Sequence, residues 1–309
     1  MINRKHYLLI IICISLLAGM GIGATLSGST FLPFRLQSAN VYEKGLIGQG
    51  HAPKLPSSLE FAGEKVPLTD KETRERLDRE LIVNIYRHGS TVLLLKKAAQ
   101  WLPVMEHILK EEGVPLDFLY LCMAESDLNH VVSPSGAAGF WQFMKPTAVQ
   151  YGMVVNEEVD QRYDIEKSTR AACNYLKDAY ARFGSWTMAA ASYNMGIAGL
   201  EKQMERQSSG NYYDLYLNTE TSRYVFRILA LKLIHQNAEK YGFFLQDEDL
   251  YEPYKYSKIQ VDGAVASWVD FAKEHGTTYK HLRQHNAWIR DISLKNYEKK
   301  VYSVRILRD

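Results

Sequence analysis

Hydrophobic positions recur at helical spacing over most of this chain and at strand spacing only near its end. Thr69 or Asp70 can cap a charged helix reaching about Arg87, with Leu77, Leu81, Ile82 and Ile85 as its apolar stripe. His88-Gly89-Ser90 closes it. A second helix is expected from near Thr91, with Pro103 interrupting or restarting it and Val104, Ile108 and Leu109 carrying the apolar face on to Gly113. Pro115 suits the first position of a third helix, Asp117 complements its positive end, and Phe118, Leu121, Cys122 and Glu125 fall on one face at i, i+3, i+4 and i+7. The stretch 129–139 has no helical period. Pro146 then opens a short helix that stops at Gly152. Asp164 can cap the next, where Ala171, Ala172, Tyr175, Leu176, Ala179 and Phe183 repeat before Gly184. An apolar helix is expected over 186–194, and a last long one over 220–237 with Tyr224, Ile228, Leu231 and Ile234 on one side.

Every element from 66 to 245 is helical in this pattern, so that stretch is expected to form one all-α domain. The tail, 254–309, reads differently. Residues 255–261 alternate as a strand does, 265–275 and 278–286 read as short helices, and 301–306 alternate again. That order, β-α-α-β, defines a small separate module. Residues 29–65, rich in Ser, Pro, Gly and Gln, carry no period and read as a linker. At the start, Arg4, Lys5 and His6 precede an uncharged apolar run. The segment 1–28 is therefore expected to be a signal peptide or an N-terminal membrane anchor, and the chain to be exported. A periplasmic location is expected in turn, with the inner or outer membrane as a partner if the anchor is kept.

Composition changes this picture little. Hydrophobic residues make up 46% and charged residues 23%, which is ordinary for a chain with a real core. A net charge of +2 gives no case for nucleic acid as a partner. Twenty tyrosines and five tryptophans suit stacking on sugar rings as well as core packing. Of the three cysteines, Cys122 and Cys173 lie on apolar helix faces and read as small buried hydrophobes. His281 and His285 stand at i, i+4 with no third ligand, which reads as a solvated helix face, and no metal or cofactor is expected.

Candidate chemistry begins at Glu125. An ionised carboxylate in an apolar stripe must find a cation or raise its pKa until it keeps its proton near neutrality. A carboxylic acid that holds a proton there can donate it, as a general acid does, and a pKa of about 6 is expected by analogy with buried glycosidase acids. A Glu on an apolar stripe is more often at the stripe's edge or in an ion pair. The residues downstream of Glu125 shift that balance. Ser133-Pro134-Ser135-Gly136-Ala137-Ala138-Gly139 is a run of small residues that lets a ligand, or another part of the chain, approach the backbone. Gln142 sits among Phe140, Trp141 and Phe143, and Ser192-Tyr193-Asn194 sets a phenol and an amide at a helix end.

These residues resemble a known family. Glu125-Ser126, then 133–142 ending in Gln142, then Ser192-Tyr193-Asn194 are similar to the Glu-Ser, Gly-Leu-Met-Gln and Ala-Tyr-Asn signatures of soluble lytic transglycosylase domains, which are goose-lysozyme-like glycosidases. The block 220–225 resembles a further family motif, and the membrane-bound lytic murein transglycosylase D type is the subgroup it most resembles. Phe140-Trp141 stands in place of Leu-Met, and Ser192 in place of Ala. The tail resembles a LysM carbohydrate-binding module that lacks the usual Gly-Asp-Thr opening.

The resemblance implies a mainly α, lysozyme-like catalytic domain followed by a LysM-like module, acting on peptidoglycan glycan strands. It implies Glu125 as acid and then base, forming a 1,6-anhydro sugar with no water. It also implies substrate contacts from Ser126, Ser133, Ser135, Gly139, Gln142, Tyr193, Asn194 and Tyr224, with the loop hydroxyl supplied by Ser133 or Ser135. Most glycosidases use two carboxylates; no motif places a second one here, and Glu157, Glu158 and Asp160 lie in a polar loop and read as solvated. A hydrolytic muramidase and a non-catalytic peptidoglycan-binding protein are the alternatives.

Overall fold

A computed structural model describes residues 52–308. The expected signal or anchor segment, 1–28, and the first part of the expected linker lie outside them. The later part of that linker is structured. Strands β1 (Glu60–Phe61) and β2 (Glu64–Lys65) form a hairpin closed by Ala62 and Gly63, both at positive φ, as a two-residue turn between twisted strands requires. Phe61 is fully buried against Phe118. The Glu64 carboxylate accepts from Trp186 N at 2.5 Å and Thr187 N at 2.9 Å, at a helix N-terminus where the unpaired amides and the dipole favour an anion.

Ten α-helices are present among the described residues. Helix α1 (Lys71–Tyr86) is capped by Asp70, whose side chain accepts from Thr73 N at 2.7 Å. Helix α2 (His88–Glu111) runs unbroken through Pro103, contrary to the expected interruption. Proline inside a helix costs about 3 kcal/mol. Here Leu94, Leu95, Leu102, Met105, Ile108 and Leu109 are all buried on the same helix, and each such burial is worth roughly 1.5–3 kcal/mol. Packing wins.

Helix α3 (Phe118–Ser126) begins three residues after Pro115 and is buried from Phe118 through Met123. Helix α4 (Lys145–Gln150) has Pro146 in its first turn. Helix α5 (Ile165–Phe183) is capped by Asp164 and ends at Gly184 in the left-handed region. Helix α6 (Trp186–Met195) is followed directly by α7 (Ile197–Gln207), which the sequence reading did not assign. Ile197, Leu200 and Met204 form its short apolar stripe, of which Leu200 is buried and the other two partly so. Helix α8 (Thr219–Gln236) packs against α1, α3 and α6 and forms the spine of the domain.

The tail folds as expected. Strand β3 (Tyr256–Val261), α9 (Trp268–Glu274), α10 (Tyr279–His285) and β4 (Tyr302–Leu307) come in that order, with β3 and β4 antiparallel and Ile259 opposite Val304. Its apolar core is not its own, however. Trp268, Leu282, Trp288, Ile289 and Val304 form one buried cluster with Ala138, Val159 and Tyr163 of the helical domain. Val159 and Ile289 form a backbone bridge, and Arg305 and Lys258 both reach Glu166, at 3.0 and 2.8 Å. Cys122 and Cys173 are buried free thiols.

Candidate active site

Where α3 packs on α8, Glu125 in the last turn of α3 meets Tyr224. Tyr224 is 1% exposed, and its hydroxyl donates to Glu125 Oε1. Glu125 itself keeps an opening to solvent. The protein packed around it disfavours the charged form and raises its pKa to about 7. The Tyr224 hydrogen bond and the positive charge of Arg227 oppose that rise, and the negative charge of Glu220 adds to it. A carboxyl group balanced near neutrality can both give and take a proton at working pH. Asp127, two residues on, leaves the helix in the left-handed region and pairs with Arg87 instead.

Helix α8 contributes more than Tyr224. Glu220, Tyr224 and Arg227 stand at i, i+4 and i+7, hence on one face. Behind them lies Glu80 of α1, 1% exposed, with Arg223 Nε 2.6 Å from one carboxylate oxygen and Arg227 Nε 3.8 Å from the other. Sequence reasoning named Glu220 only as part of a motif and missed Arg227 and Glu80. The i, i+4, i+7 spacing of Glu220, Tyr224 and Arg227 carried the signal. Glu80 sits in a charged helix and gave none.

The end of α6 completes this side. Asn194 Nδ2 donates to Glu220 Oε1 at 3.1 Å, while its Oδ1 accepts from Thr221 Oγ1 at 2.8 Å, tying α6 to the start of α8. Tyr193 donates to the Trp141 carbonyl at 2.8 Å, and its ring meets those of Phe143 and Tyr175 edge-on. Burial pushes the Tyr193 phenol well above its ordinary pKa, and the nearby Glu125 charge adds to this, so it stays a neutral donor.

Opposite lies the loop 131–143, closed by paired backbone bonds of 3.1 Å between Ala138 and Phe143. Gln142 has φ 47, and its Nε2 donates to Gly139 O at 2.7 Å and Val131 O at 3.1 Å. That leaves Oε1 as its polar atom with no partner among the described residues. Ser133 and Ser135 hydrogen-bond each other at 3.0 Å, and Ser133 Oγ also accepts from Ala137 N. Neither meets Glu125 with a hydrogen bond among the described residues.

Two residues expected at the substrate are engaged within the fold. Ser126 is 7% exposed and donates to the Phe140 carbonyl at 2.9 Å, locking α3 to the loop. Gly139 is buried, and a Cβ there would lie 1.9 Å from Arg162 O. The close approach that its size permits is therefore made by the chain itself. Glu125, Tyr193, Asn194 and Tyr224 are drawn together around α8, and Gln142 shares the Tyr193-anchored loop. Asp160, expected to be solvated in its polar loop, is 6% exposed and pairs with Arg162 at 2.7 Å.

The chain is similar to known proteins in two parts. Residues 104–215 match the model of the transglycosylase SLT domain, and residues 257–308 match that of the soluble lytic transglycosylase C-terminal LysM-like domain. Over 245 residues, 76% of this chain and 52% of the other, it is 28% identical to membrane-bound lytic murein transglycosylase D of Escherichia coli K12, and equally so to that of strain O6:H1. The chain thus spans about half the length of these relatives. Among solved structures it is similar to the 70 kDa soluble lytic transglycosylase Slt70 of Escherichia coli, with TM-score 0.42 and 17% identity over 63% of this chain and 34% of that one.

Proposed function

We propose that this chain, which carries a transglycosylase SLT domain followed by a LysM-like C-terminal domain, is a peptidoglycan lytic transglycosylase. It cleaves the β-1,4 bond between N-acetylmuramic acid and N-acetylglucosamine and leaves a 1,6-anhydro-N-acetylmuramic acid end. One observation carries the reading. Glu125 is held by a buried phenol in surroundings that put its pKa at about 7.

On this reading the protonated Glu125 gives its hydrogen to the glycosidic oxygen as the C1–O bond breaks, and the N-acetylglucosamine side leaves as an alcohol. The 2-acetamido group of the muramic acid stabilises the positive charge at C1. Glu125, now a carboxylate, takes the proton of the same sugar's C6 hydroxyl, and that oxygen bonds to C1. Acid and base are one residue at successive steps. Holding O6 beside C1 is a proximity effect that lets it form the bond ahead of water.

Tyr224 holds the carboxyl in place. Gln142, through its unpartnered Oε1, together with Tyr193 and Asn194, contacts the sugar and its acetamido group, and Ser133 or Ser135 supplies a hydroxyl at the rim. The site of action is the cell envelope, reached by export with 1–28 as signal or anchor. Among the described residues, no helix is long and apolar enough to cross a membrane.

Mass analysis of fragments released from purified peptidoglycan tests this. Wild type is expected to give anhydro-ended muropeptides, lighter by one water than the hydrolytic product, and Glu125→Gln none. Reducing ends from the wild type, or unchanged cleavage by the variant, overturn the reading.

A further inference from the structure

We infer that the C-terminal module acts as a brace for the active-site loop, and that Asp160 and Arg162 are positioning residues through which it acts. The route can be followed bond by bond. On the tail side, the Trp288 carbonyl accepts from Asp160 N at 2.8 Å, and the Glu158 carbonyl accepts from Arg290 N at 2.8 Å. Ile289, fully buried between them, bridges to Val159. The segment 158–160 is therefore paired edge-on with the tail.

Asp160 passes this on. Its carboxylate accepts from Arg162 Nε at 2.9 Å and Nη2 at 2.7 Å, a two-pronged pairing that fixes the guanidinium plane. The remaining prong, Nη1, donates to the Gly136 carbonyl at 2.9 Å and the Phe143 carbonyl at 3.2 Å. The Phe143 carbonyl is itself part of the Ala138–Phe143 closure that shapes the loop 131–143, and Gly136 lies two residues before Ala138. Arg162 O also packs against Gly139, where no side chain would fit.

From the loop the contacts reach the acid. Phe140 O takes the Ser126 hydroxyl one residue from Glu125, and Trp141 O takes the Tyr193 phenol. The tail core and the loop also share buried apolar surface, since Ala138 belongs to the same cluster as Trp268 and Trp288. A module tethered only for wall binding would need none of this. Its core would close on itself, and its contacts with the helical domain would be few and polar.

The proposal rests on the glycan-cleaving reading only for its activity readout, so the test carries a second one. In the full-length chain, amide hydrogen exchange is followed residue by residue in wild type, Arg162→Gln, Arg162→Lys and Ile289→Ala. Arg162→Gln is expected to speed exchange at Ala138, Gln142 and Phe143 by at least about tenfold while α1 and α8 keep wild-type protection. Arg162→Lys should behave like Arg162→Gln, because an ammonium cannot hold the carboxylate and both carbonyls in one plane.

Ile289→Ala should loosen 158–160 and, in the same variant, 131–143. In peptidoglycan turnover, Arg162→Gln should lower kcat by about tenfold with KM within about twofold, since it misplaces groups that act in the transition state. Wild-type exchange in the loop of Ile289→Ala while the tail itself loosens would overturn the brace. So would full restoration by Arg162→Lys. If wild type releases no anhydro product, the functional reading fails, and the exchange comparison still decides the brace.

Discussion

Tyr224 of α8 and Glu125 of α3, 99 residues apart in sequence, share one hydrogen, donated by the phenol to Oε1 of the carboxyl. A hydrogen bond to a carboxylate favours the charged form, so this contact lowers the Glu125 pKa against the larger effect of burial. Hydrogen bonds to charged groups are worth about 1.5–3 kcal/mol. Tyr224→Phe should therefore move the alkaline limb of the pH–rate profile upward from about 7, by about one unit. It should also slow turnover by roughly tenfold, because the base step loses its oriented carboxylate. A pH–rate series on purified glycan strands reads both effects, and a limb that stays in place would separate Tyr224 from the acid.

Glu125→Gln should abolish turnover and stabilise the fold at alkaline pH. The carboxyl's folded pKa lies above its ordinary value of 4.5, at about 7. The folded state thus favours the protonated form, and ionisation in place costs stability as pH rises from about 4.5 towards 7 and stays lost above that. The full shift corresponds to no more than about 3 kcal/mol, which the opening to solvent reduces. The amide is neutral throughout. Thermal or urea unfolding at pH 5 and pH 8 should show the two proteins close together at the lower pH and the variant ahead at the higher one.

Glu125 was legible as a candidate because the helical stripe from Phe118 ends on it and the family-like run lies just beyond it. Tyr193 and Asn194 were legible for the same reason, since a phenol and an amide close an otherwise apolar helix. The features that escaped depend on a partner distant in sequence. Asp160 reads as a solvated loop residue until Arg162 and Trp288 are seen around it. Ser126 looks like a polar neighbour of the acid, yet its hydroxyl is taken by a carbonyl 14 residues on. The hairpin at Phe61 looked like linker because its two short strands are held by the Glu64 carboxylate on a helix more than 120 residues away. Helix α7 escaped for a local reason: Gly196 and Gly199 interrupt the pattern at its start, and its stripe of Ile197, Leu200 and Met204 is short.

Glu80 is predicted to matter for stability and for the pH profile together. Its carboxylate is buried between Arg223 and Arg227, and removing one partner of a buried ion pair costs about 3–5 kcal/mol. The two guanidinium groups are partly open to water, so a loss of about 2 kcal/mol is expected for Glu80→Gln. The Arg227 charge, no longer balanced, should then act more strongly on Glu125 and draw its pKa below about 7. Denaturant unfolding gives the first effect and the alkaline limb of activity gives the second. A destabilised protein with an unmoved limb would show that Arg227 acts on Glu125 without regard to Glu80.

Gly139→Ala is the sharpest test of the loop. The position has φ 80, which side-chain-bearing residues rarely adopt, and the added Cβ would sit 1.9 Å from the Arg162 carbonyl oxygen. The obstacle is backbone, so no rotamer change relieves it, and the loop or the 160–163 turn must move. Overpacking of this kind costs about 1–3 kcal/mol, and the left-handed backbone adds roughly another 1. The variant should unfold at lower denaturant and lose most of its turnover, since Gln142 donates to the very carbonyl that would shift. Gly136→Ala is the control. It has the same sign of φ at 88 and nothing within 4 Å of the new methyl group, so it carries the backbone strain alone. Equal losses in the two variants would mean that the backbone conformation matters and the contact with Arg162 does not.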